Sequence, residues 1–294
     1  MTIGIPCAKL FLSGIKVTRI NGVAMKKREF ILILGMISMF LSGCDIQQRL
    51  IYYPGEVRFY EIQQYAVRAG LKIWPENNET YQAVVSLKGP GKSKGTIVVF
   101  HGNAGPAVFR KYYIAALEGR GYRVVLAEYP GYGGRPGEMS EESFVADARL
   151  VALRAKKEFG DPIYVWGESL GCGVASALAS DAEVLPKGVV MLTPWDSLPN
   201  LAKVKFPWLP VGFFIRDMYD NVANLEEYKG PVAVIMAKRD EIIPNRLTER
   251  FYELLPQPKR RWIFENAGHN DWPNRPELGW WDEVMDFLNQ TVVR

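Results

Sequence analysis

Short apolar runs rich in β-branched residues alternate along the chain with longer stretches of helical periodicity. Five clear runs and one weaker run predict strands, at residues 96–100, 122–128, 163–166, 188–192, 232–236 and, more weakly, 261–264. Strands that are apolar throughout are buried on both faces, unlike strands with one solvated face. Because helical segments separate them, the pattern predicts an α/β fold with a mostly parallel sheet and helices on both faces.

Helical periodicity occupies several of the intervals. Residues 140–159 begin with Ser140 and two acids, which favour a helix N-terminus, and then place apolar residues on one face. Residues 171–182 are rich in small side chains, which suit a helix packed closely on a sheet. A last helix has apolar residues at i, i+3, i+4 and i+7, namely Trp281, Val284, Met285 and Leu288.

Two segments depart from this alternation. Residues 45–90 form a mixed lead-in that we expect to contain the first, antiparallel strands. Residues 195–228 lie between two predicted strands and combine several aromatic residues with three prolines. One interpretation is an ordinary connection with aromatic residues in the core. Since long connections in compact domains more often cover a site, we interpret this segment as a small cap.

Residues 25–44 show a different order of polar and apolar positions. Met25 precedes three basic residues, an apolar run too short to span a bilayer comfortably, and Leu41-Ser42-Gly43-Cys44. This order is typical of a secretory signal, and its end resembles a bacterial lipobox, whose cysteine is lipidated. We therefore interpret residues 1–24 as an upstream extension, 25–43 as a lipoprotein signal peptide, Cys44 as the lipidation site and 44–294 as one domain. An uncleaved anchor helix is the alternative.

The charge distribution changes the meaning of the overall balance. The 294 residues carry a formal net charge of +4. Residues 1–43 hold six basic residues and one acidic residue, whereas the remainder holds 30 basic and 31 acidic residues, a net of −1. The basic excess therefore belongs to the export segment, and the sequence predicts no nucleic-acid partner.

The segment Gly167-Glu168-Ser169-Leu170-Gly171 lies between a predicted strand and a predicted small-residue helix. In that context the G-x-S-x-G pattern is typical of a nucleophile elbow, which exposes the serine on a sharp turn. Side chains at Gly167 or Gly171 would collide with the neighbouring strand or helix. We therefore predict Ser169 as a nucleophile.

A serine nucleophile needs a base, and the base needs an acid to orient it. In this arrangement the chain order is serine, acid, histidine. Only His269 follows Ser169, so we predict it as the base. Asp240, just after the strand at 232–236, is the predicted acid. Its neighbour Glu241 and, more seriously, Asp196 after the strand at 188–192 are the alternatives; Asp196 could equally cap a helix or brace a loop.

The other histidine lies in His101-Gly102-Asn103-Ala104-Gly105, at the end of the strand at 96–100. A loop in this place supplies one oxyanion donor, and the amide after the nucleophile supplies the other. We predict the backbone N–H groups of Leu170 and Asn103 as these donors, with Ala104 as the alternative to Asn103. His101 is expected to brace the loop.

The remaining chemistry-bearing residues predict no further site. No cluster has metal-ligand spacing and no glycine-rich loop has a phosphate or dinucleotide pattern, so we predict neither a metal nor a cofactor. Cys172 is expected to lie in the core.

Together these motifs resemble the α/β-hydrolase superfamily from about residue 50 to the end, and within it the Bem46-like group of serine hydrolases. The resemblance rests on Tyr52-Tyr53-Pro54, the loop 101–105, Glu128-Tyr129-Pro130-Gly131-Tyr132-Gly133, the elbow 167–171, Asp240 with Pro244, and Gly268-His269. This chain departs from the usual pattern at Pro130, where members carry Arg, and at Gly134 or Arg135, where they carry Ser. These loops flank the pocket, so the resemblance does not transfer a substrate preference.

The resemblance implies a carboxylesterase, lipase or thioesterase that acts on acyl esters or thioesters. With the lipobox, it implies a bacterial envelope enzyme tethered to a membrane through Cys44, with its domain on the periplasmic face. The oligomeric state is left open. A non-catalytic envelope lipoprotein of the same fold and a serine peptidase are the alternatives, whereas haloalkane-type chemistry would require a carboxylate at position 169.

Overall fold

The computed structural model describes residues 47–48, 50–76, 81–208 and 215–290. The predicted extension 1–24, signal peptide 25–43 and lipidation site Cys44 lie outside the described residues, as do residues 209–214 of the predicted cap. In the described part, eight strands form one sheet in the order β1-β2-β4-β3-β5-β6-β7-β8. Their bounds are β1 Leu71–Trp74, β2 Ala83–Ser86, β3 Thr96–Phe100, β4 Arg123–Ala127, β5 Ile163–Glu168, β6 Gly188–Leu192, β7 Val232–Ala237 and β8 Lys259–Phe264.

The predicted mostly parallel sheet is confirmed. Strands β4, β3, β5, β6, β7 and β8 run parallel to one another. In the lead-in, β1 pairs with β2 and β2 pairs with β4 in the antiparallel sense, as expected. Strand β5 continues two residues beyond the predicted run, through Gly167 and Glu168, which pair with β6. Backbone pairing does not require an apolar side chain, so a prediction based on hydrophobicity placed the end of this strand too early.

The helices cover both faces of the sheet. Their bounds are α1 Phe59–Arg68, α2 Lys111–Glu118, α3 Glu141–Phe159, α4 Leu170–Ala179, α5 Leu198–Lys205, α6 Asn221–Leu225, α7 Asn245–Leu254 and α8 Trp280–Asn289. The Ser140 hydroxyl accepts a hydrogen bond from the Ser143 N–H, so the predicted cap of α3 is confirmed. Helix α4 ends three residues before the predicted limit of 182. The sequence pattern did not predict α1, α2 or α7, nor the helices α5 and α6 within the segment 195–228.

Alternating residues of the central strands supply two separate cores. In β3, Val98 and Phe100 pack into one core, and Ile97 and Val99 pack into the other. Because successive strand residues point to opposite faces, a strand covered by helices on both sides must be apolar throughout. This arrangement explains the continuous apolar runs of the sequence.

The parallel strands bring their carboxyl ends to one edge of the sheet. The elbow follows β5, the Asp240 loop follows β7, the His269 loop follows β8, and the loop 101–105 follows β3. Ligands of open α/β sheets bind at this edge. None of the helices in the described ranges is both long enough and apolar enough to span a membrane.

Candidate active site

The turn between β5 and α4 holds Ser169 in a strained backbone conformation. Its φ and ψ angles are 52° and −113°, and α4 begins at the next residue, Leu170. A non-glycine residue in such a region costs about 1–3 kcal/mol and persists only where its surroundings enforce it. The Ser169 N–H donates to the Leu192 carbonyl at 2.9 Å, which ties the turn to the end of β6.

Two glycines allow this turn to pack tightly. A Cβ added at Gly167 would lie 2.5 Å from the Cys172 Cα, inside helix α4. A Cβ added at Gly171 would overlap the Phe100 carbonyl at the end of β3. The elbow is therefore compressed between a strand and its own helix, and neither position has room for a side chain.

Ser169, His269 and Asp240 meet at the edge of the sheet. The Ser169 Oγ lies 2.9 Å from His269 Nε2, and His269 Nδ1 lies 2.8 Å from Asp240 Oδ2. A carboxylate can only accept, so the proton resides on Nδ1 and leaves Nε2 to accept from the serine hydroxyl. The exposed side-chain fractions are 9% for His269 and 3% for Asp240. The pair is thus shielded from water while one imidazole edge reaches the pocket.

The Asp240 carboxylate is held from both sides. Its second oxygen, Oδ1, accepts from the Ile242 and Ile243 N–H groups at 2.8 and 2.7 Å. The neighbouring Glu241 accepts from the His269 backbone N–H at 3.2 Å rather than from the ring. Asp240 therefore orients the imidazole, and Glu241 orients the loop that carries it.

The alternative acid, Asp196, has a different set of partners. Its oxygens accept from the Ser197 N–H and the Asn200 side-chain amide, each at 2.8 Å. It also forms an ion pair with Arg250 at 3.3 Å. These bonds brace the start of α5, whereas Asp240 occupies the position beside the imidazole.

The loop that follows β3 lies directly against the elbow. A Cβ added at Gly102 would be 3.5 Å from the Ser169 Cβ. The Asn103 carbonyl accepts from the Tyr53 N–H at 3.0 Å and from the Tyr132 hydroxyl at 2.9 Å, and its side chain donates to the Ile51 carbonyl at 3.0 Å. Asn103, Ala104 and Leu170 all line the same pocket as Ser169. The structure therefore places both predicted oxyanion residues, and the alternative Ala104, around the serine.

His101 is the first residue of this loop, and its side chain is buried. Its Nε2 is 3.0 Å from Glu128 Oε1, its Nδ1 is 2.7 Å from the Gly102 carbonyl, and its ring packs against Tyr129. The other Glu128 oxygen accepts from the Ala107 N–H at 2.9 Å. The bracing role predicted for His101 is confirmed. The sequence did not identify its partner Glu128, although this residue directly follows β4 and begins the motif 128–133.

A second polar network, absent from the sequence predictions, begins at Glu168. Its carboxylate accepts from the Tyr112 and Tyr113 hydroxyls at 2.9 and 3.0 Å and lies 3.4 Å from Arg110 Nη2. The same Arg110 nitrogen donates to the Ala104 carbonyl at 2.9 Å. Burial, together with the charge of Glu168, raises the pKa of Tyr112 and Tyr113, so both phenols remain donors.

Arg110 therefore links the elbow to the loop after β3. Burial alone would lower the pKa of its guanidinium, but Glu168, Tyr112 and Tyr113 together outweigh burial and the pKa is raised. The position of Glu168 inside the G-x-S-x-G motif was the one sequence signal for this network.

Ser169 opens into a pocket of about 690 Å³. Such a volume lies within the usual range for small-molecule sites. The predicted cap contributes one wall, from α5 and the residues flanking it. The lead-in contributes another, which the sequence did not indicate. The lining residues from these two segments are Gln47, Leu50, Ile51, Tyr53, Trp195, Leu198, Leu201, Ala202, Lys205, Phe206 and Ile215.

Cys172 packs in the core behind the elbow, as predicted. Its Sγ lies 3.2 Å from the Leu192 carbonyl, and it has no exposed surface. Burial raises the pKa of this thiol well above its ordinary value. Across the residues described, no three His, Cys, Asp or Glu side chains converge in a way that could hold a metal ion.

The fold agrees with comparisons to known proteins. A family model for the alpha/beta hydrolase fold matches residues 95–227. An uncharacterized protein of Mycobacterium tuberculosis is 31% identical over 290 residues, covering 92% of this chain and 99% of that protein. The chain belongs to the α/β-hydrolase superfamily.

More distant relatives carry functional names. The lysophosphatidylserine lipase ABHD12 of Danio rerio is 30% identical over 187 residues, 57% of this chain and 49% of that protein. The chain thus spans about half the length of this relative. Among solved structures, the Pyrococcus furiosus esterase Pf2001 matches with a TM-score of 0.56 at 18% identity, covering 70% of this chain and 85% of that one. The solved structure supports the fold alone, and the family supports a hydrolase activity.

Proposed function

We propose that the protein is a serine hydrolase that cleaves carboxylic esters or thioesters through an acyl-enzyme. The observation that carries this proposal is the continuous contact from the Ser169 Oγ through the His269 ring to the Asp240 carboxylate, at 2.9 and 2.8 Å. Each member lies after a different parallel strand, and the chain order is that of an α/β-hydrolase triad.

The first half-reaction forms the acyl-enzyme. The Ser169 oxygen attacks the substrate carbonyl carbon while His269 Nε2 takes its proton. Asp240 holds the imidazole by Nδ1 and stabilises the positive charge that the ring acquires. The carbonyl oxygen becomes an oxyanion, which the N–H groups of Leu170 and Asn103 stabilise; removing one such donor costs about 3–4 kcal/mol. The imidazolium then protonates the departing alcohol or thiol.

The second half-reaction regenerates the serine. A water molecule enters beside His269, which removes its proton as the oxygen attacks the acyl carbonyl. The C–O bond to Ser169 breaks, the serine oxygen recovers its proton from the imidazolium, and a carboxylic acid leaves. The same oxyanion donors serve both halves, because both pass through a tetrahedral intermediate at the same carbon.

The pocket favours an apolar acyl group as the substrate's main recognition element. Its walls include Leu198, Leu201, Phe206 and Ile243, while polar groups concentrate around Ser169. Apolar walls with a few placed polar groups are typical of small-molecule sites. The lipase and esterase names of the relatives point to the same substrate class.

The N-terminal pattern supports a location for this activity. Residues 25–44 combine a basic start, an apolar run and a lipobox-like end, so the proposal includes cleavage before Cys44, lipidation of Cys44 and attachment of domain 44–294 to a bacterial envelope membrane, on its periplasmic face. The proposal also includes three further assignments. Residues 1–24 are an upstream extension, residues 195–228 form a cap, and the subfamily is the Bem46-like group.

The activity is tested with a fluorophosphonate probe and a series of p-nitrophenyl esters of increasing acyl length. We expect wild-type protein to be labelled at Ser169 and to hydrolyse the esters, and Ser169→Ala to do neither. Labelling at another residue, or ester hydrolysis by Ser169→Ala, would contradict the mechanism. A folded protein that neither reacts nor hydrolyses would favour the non-catalytic alternative, and cleavage of peptides but not esters would favour a peptidase.

A further inference from the structure

The mouth of the Ser169 pocket carries a concentration of exposed apolar side chains. Four residues that line the pocket are large, hydrophobic and exposed: Leu50 at 51%, Tyr53 at 50%, Phe206 at 38% and Ile242 at 44%. Trp208, exposed at 77%, packs edge-on against the Phe206 ring. Single exposed hydrophobic residues are ordinary on a protein surface, but a contiguous group around a cleft marks an interaction site.

We call these five residues the apolar rim: Leu50, Tyr53, Phe206, Trp208 and Ile242. Two lysines lie in the last turn of α5, just before Phe206: Lys203, and Lys205, whose amine also donates to the Glu241 carbonyl at 3.1 Å. Aromatic side chains beside basic side chains are typical of surfaces that rest in a membrane interface, where rings sit at headgroup depth and amines reach lipid phosphates.

The chain itself places the rim close to the proposed lipid anchor. Gln47 lines the pocket, and its side chain donates to Asp217 at 2.6 Å. The Tyr52 hydroxyl donates to the same carboxylate at 2.5 Å, so the segment that begins at Gln47 is tied to the domain. Cys44 precedes Gln47 by three residues, which span at most about 11 Å when extended. A lipid on Cys44 would therefore hold the bilayer surface within about that distance of the pocket wall.

From these observations we infer that the apolar rim docks on the surface of the bilayer, so that the pocket of Ser169 takes acyl esters directly from the membrane. This inference rests on the proposed function for the chemistry of Ser169 and for the anchor at Cys44. The anchor limits the distance between domain and membrane, and the rim determines which face turns to the lipid. The acyl chain then passes from the bilayer to an apolar pocket without crossing water.

Depth-dependent fluorescence tests the docking without requiring catalysis. The full-length protein is purified in detergent and reconstituted into phosphatidylethanolamine and phosphatidylglycerol vesicles, with or without bromine on the acyl chains. Bromine quenches only tryptophans in contact with lipid. We expect brominated vesicles to quench the wild type more than Trp208→Phe. Equal quenching of the two proteins would overturn the inference, whatever their enzymatic activity.

Hydrolysis tests whether docking supplies substrate. Trp208→Asp introduces a charge at a rim residue outside the pocket lining, and Leu150→Asp introduces the same charge at a 56% exposed position on α3. We expect Trp208→Asp to hydrolyse a long-chain monoacyl ester in vesicles about tenfold more slowly or worse, because burial of an aromatic ring is lost. Its hydrolysis of a soluble short-chain ester should stay within twofold of the wild type, and Leu150→Asp should match the wild type on both substrates.

The outcomes separate the two levels of the proposal. Wild-type rates of vesicle hydrolysis by Trp208→Asp would contradict docking through the rim. Equal losses on vesicle and soluble esters would also contradict it, since the residue would then act on the site itself. If the wild type hydrolyses neither ester, the proposed function fails, and the bromine experiment alone decides the docking.

Discussion

The protein contains two histidine–carboxylate pairs, and their surroundings suit one pair to stabilising the fold and the other to catalysis. His101 and Glu128 are 1% and 0% exposed and lie beneath the loop after β3. His269 and Asp240 are 9% and 3% exposed and lie at the pocket. Both ring nitrogens of His101 face oxygen atoms of the protein, at 2.7 and 3.0 Å. In His269 only Nδ1 faces a carboxylate, and Nε2 faces the Ser169 hydroxyl.

The difference shows that the role of a histidine depends on the group that its second ring nitrogen faces. A ring bonded at both nitrogens to fixed groups acts as a brace, since it has no site from which to move a proton. A ring bonded at one nitrogen and directed at a hydroxyl can act as a base. We therefore expect changes in the first pair to affect mainly stability and changes in the second to affect mainly catalysis.

The largest expected effect is on turnover. His269→Ala should lower kcat by about 10⁶-fold, because a serine without its base is a weak nucleophile. The free energy of unfolding should change by less than about 1 kcal/mol, since the ring lies at the pocket wall. Ester hydrolysis and urea unfolding measure the two quantities. Because triad members act as a unit, adding Ser169→Ala should cause little further loss; a large additional loss would break the assignment.

The next effect separates the two candidate acids. Asp240→Asn should lower kcat by about 10⁴-fold, because an amide can favour the wrong imidazole tautomer while leaving the shape intact. Asp196→Asn, an equally small change at a carboxylate after the neighbouring strand, should keep kcat within a few fold. Steady-state kinetics on a soluble ester compares them. If the two losses were reversed, Asp196 would be the acid despite its contacts with Asn200 and Arg250.

The His101–Glu128 pair should show the opposite balance, with a large effect on stability and a small effect on kcat. Glu128→Ala leaves the His101 ring and the Ala107 N–H without their acceptor at a fully buried site, and each such unsatisfied group costs about 1–3 kcal/mol of unfolding free energy. The kcat of the folded fraction should fall far less than in Asp240→Asn. Urea unfolding and active-site titration with a fluorophosphonate report stability and the folded fraction separately. Unchanged stability would show that the pair contributes nothing to the fold and would remove the contrast on which the comparison rests.

The smallest effect concerns the network between the two regions. Arg110 bonds both Glu168 and the Ala104 carbonyl, so we expect it to position the oxyanion loop against the elbow. Arg110→Ala should lower kcat by about tenfold with little change in KM, because small misplacements weaken transition-state contacts more than substrate binding. Arg110→Lys should restore part of the loss.

A matched control exists for this variant. Arg120 is as exposed as Arg110, at 16%, and is bonded to Asp282 on α8. Arg120→Ala should reduce stability to a similar extent and leave kcat unchanged. Equal effects of the two substitutions on kcat would assign Arg110 a purely structural role.

Local patterns predicted most of the sheet, because strands covered on both faces must be apolar and the period of the intervening helices differs from that of strands. They missed α1, α2 and α7. In α7 only Leu247, Thr248 and Phe251 are buried, so polar residues outnumber the apolar face. Its helical state depends on packing of that narrow face against the domain, which a single sequence does not display.

The sequence by itself determined the chain order of the predicted nucleophile, acid and base, and it left His269 as the only histidine after Ser169. These predictions follow from positions along the chain, because the elbow, the Asp240 loop and the His269 loop each follow a predicted strand. Only the tertiary structure decided which carboxylate faces the imidazole, how Glu128 pairs with His101, and that Gln47, Leu50, Ile51 and Tyr53 form a pocket wall. These are contacts between segments distant in sequence, and their distances depend on how the whole sheet and its covering helices pack.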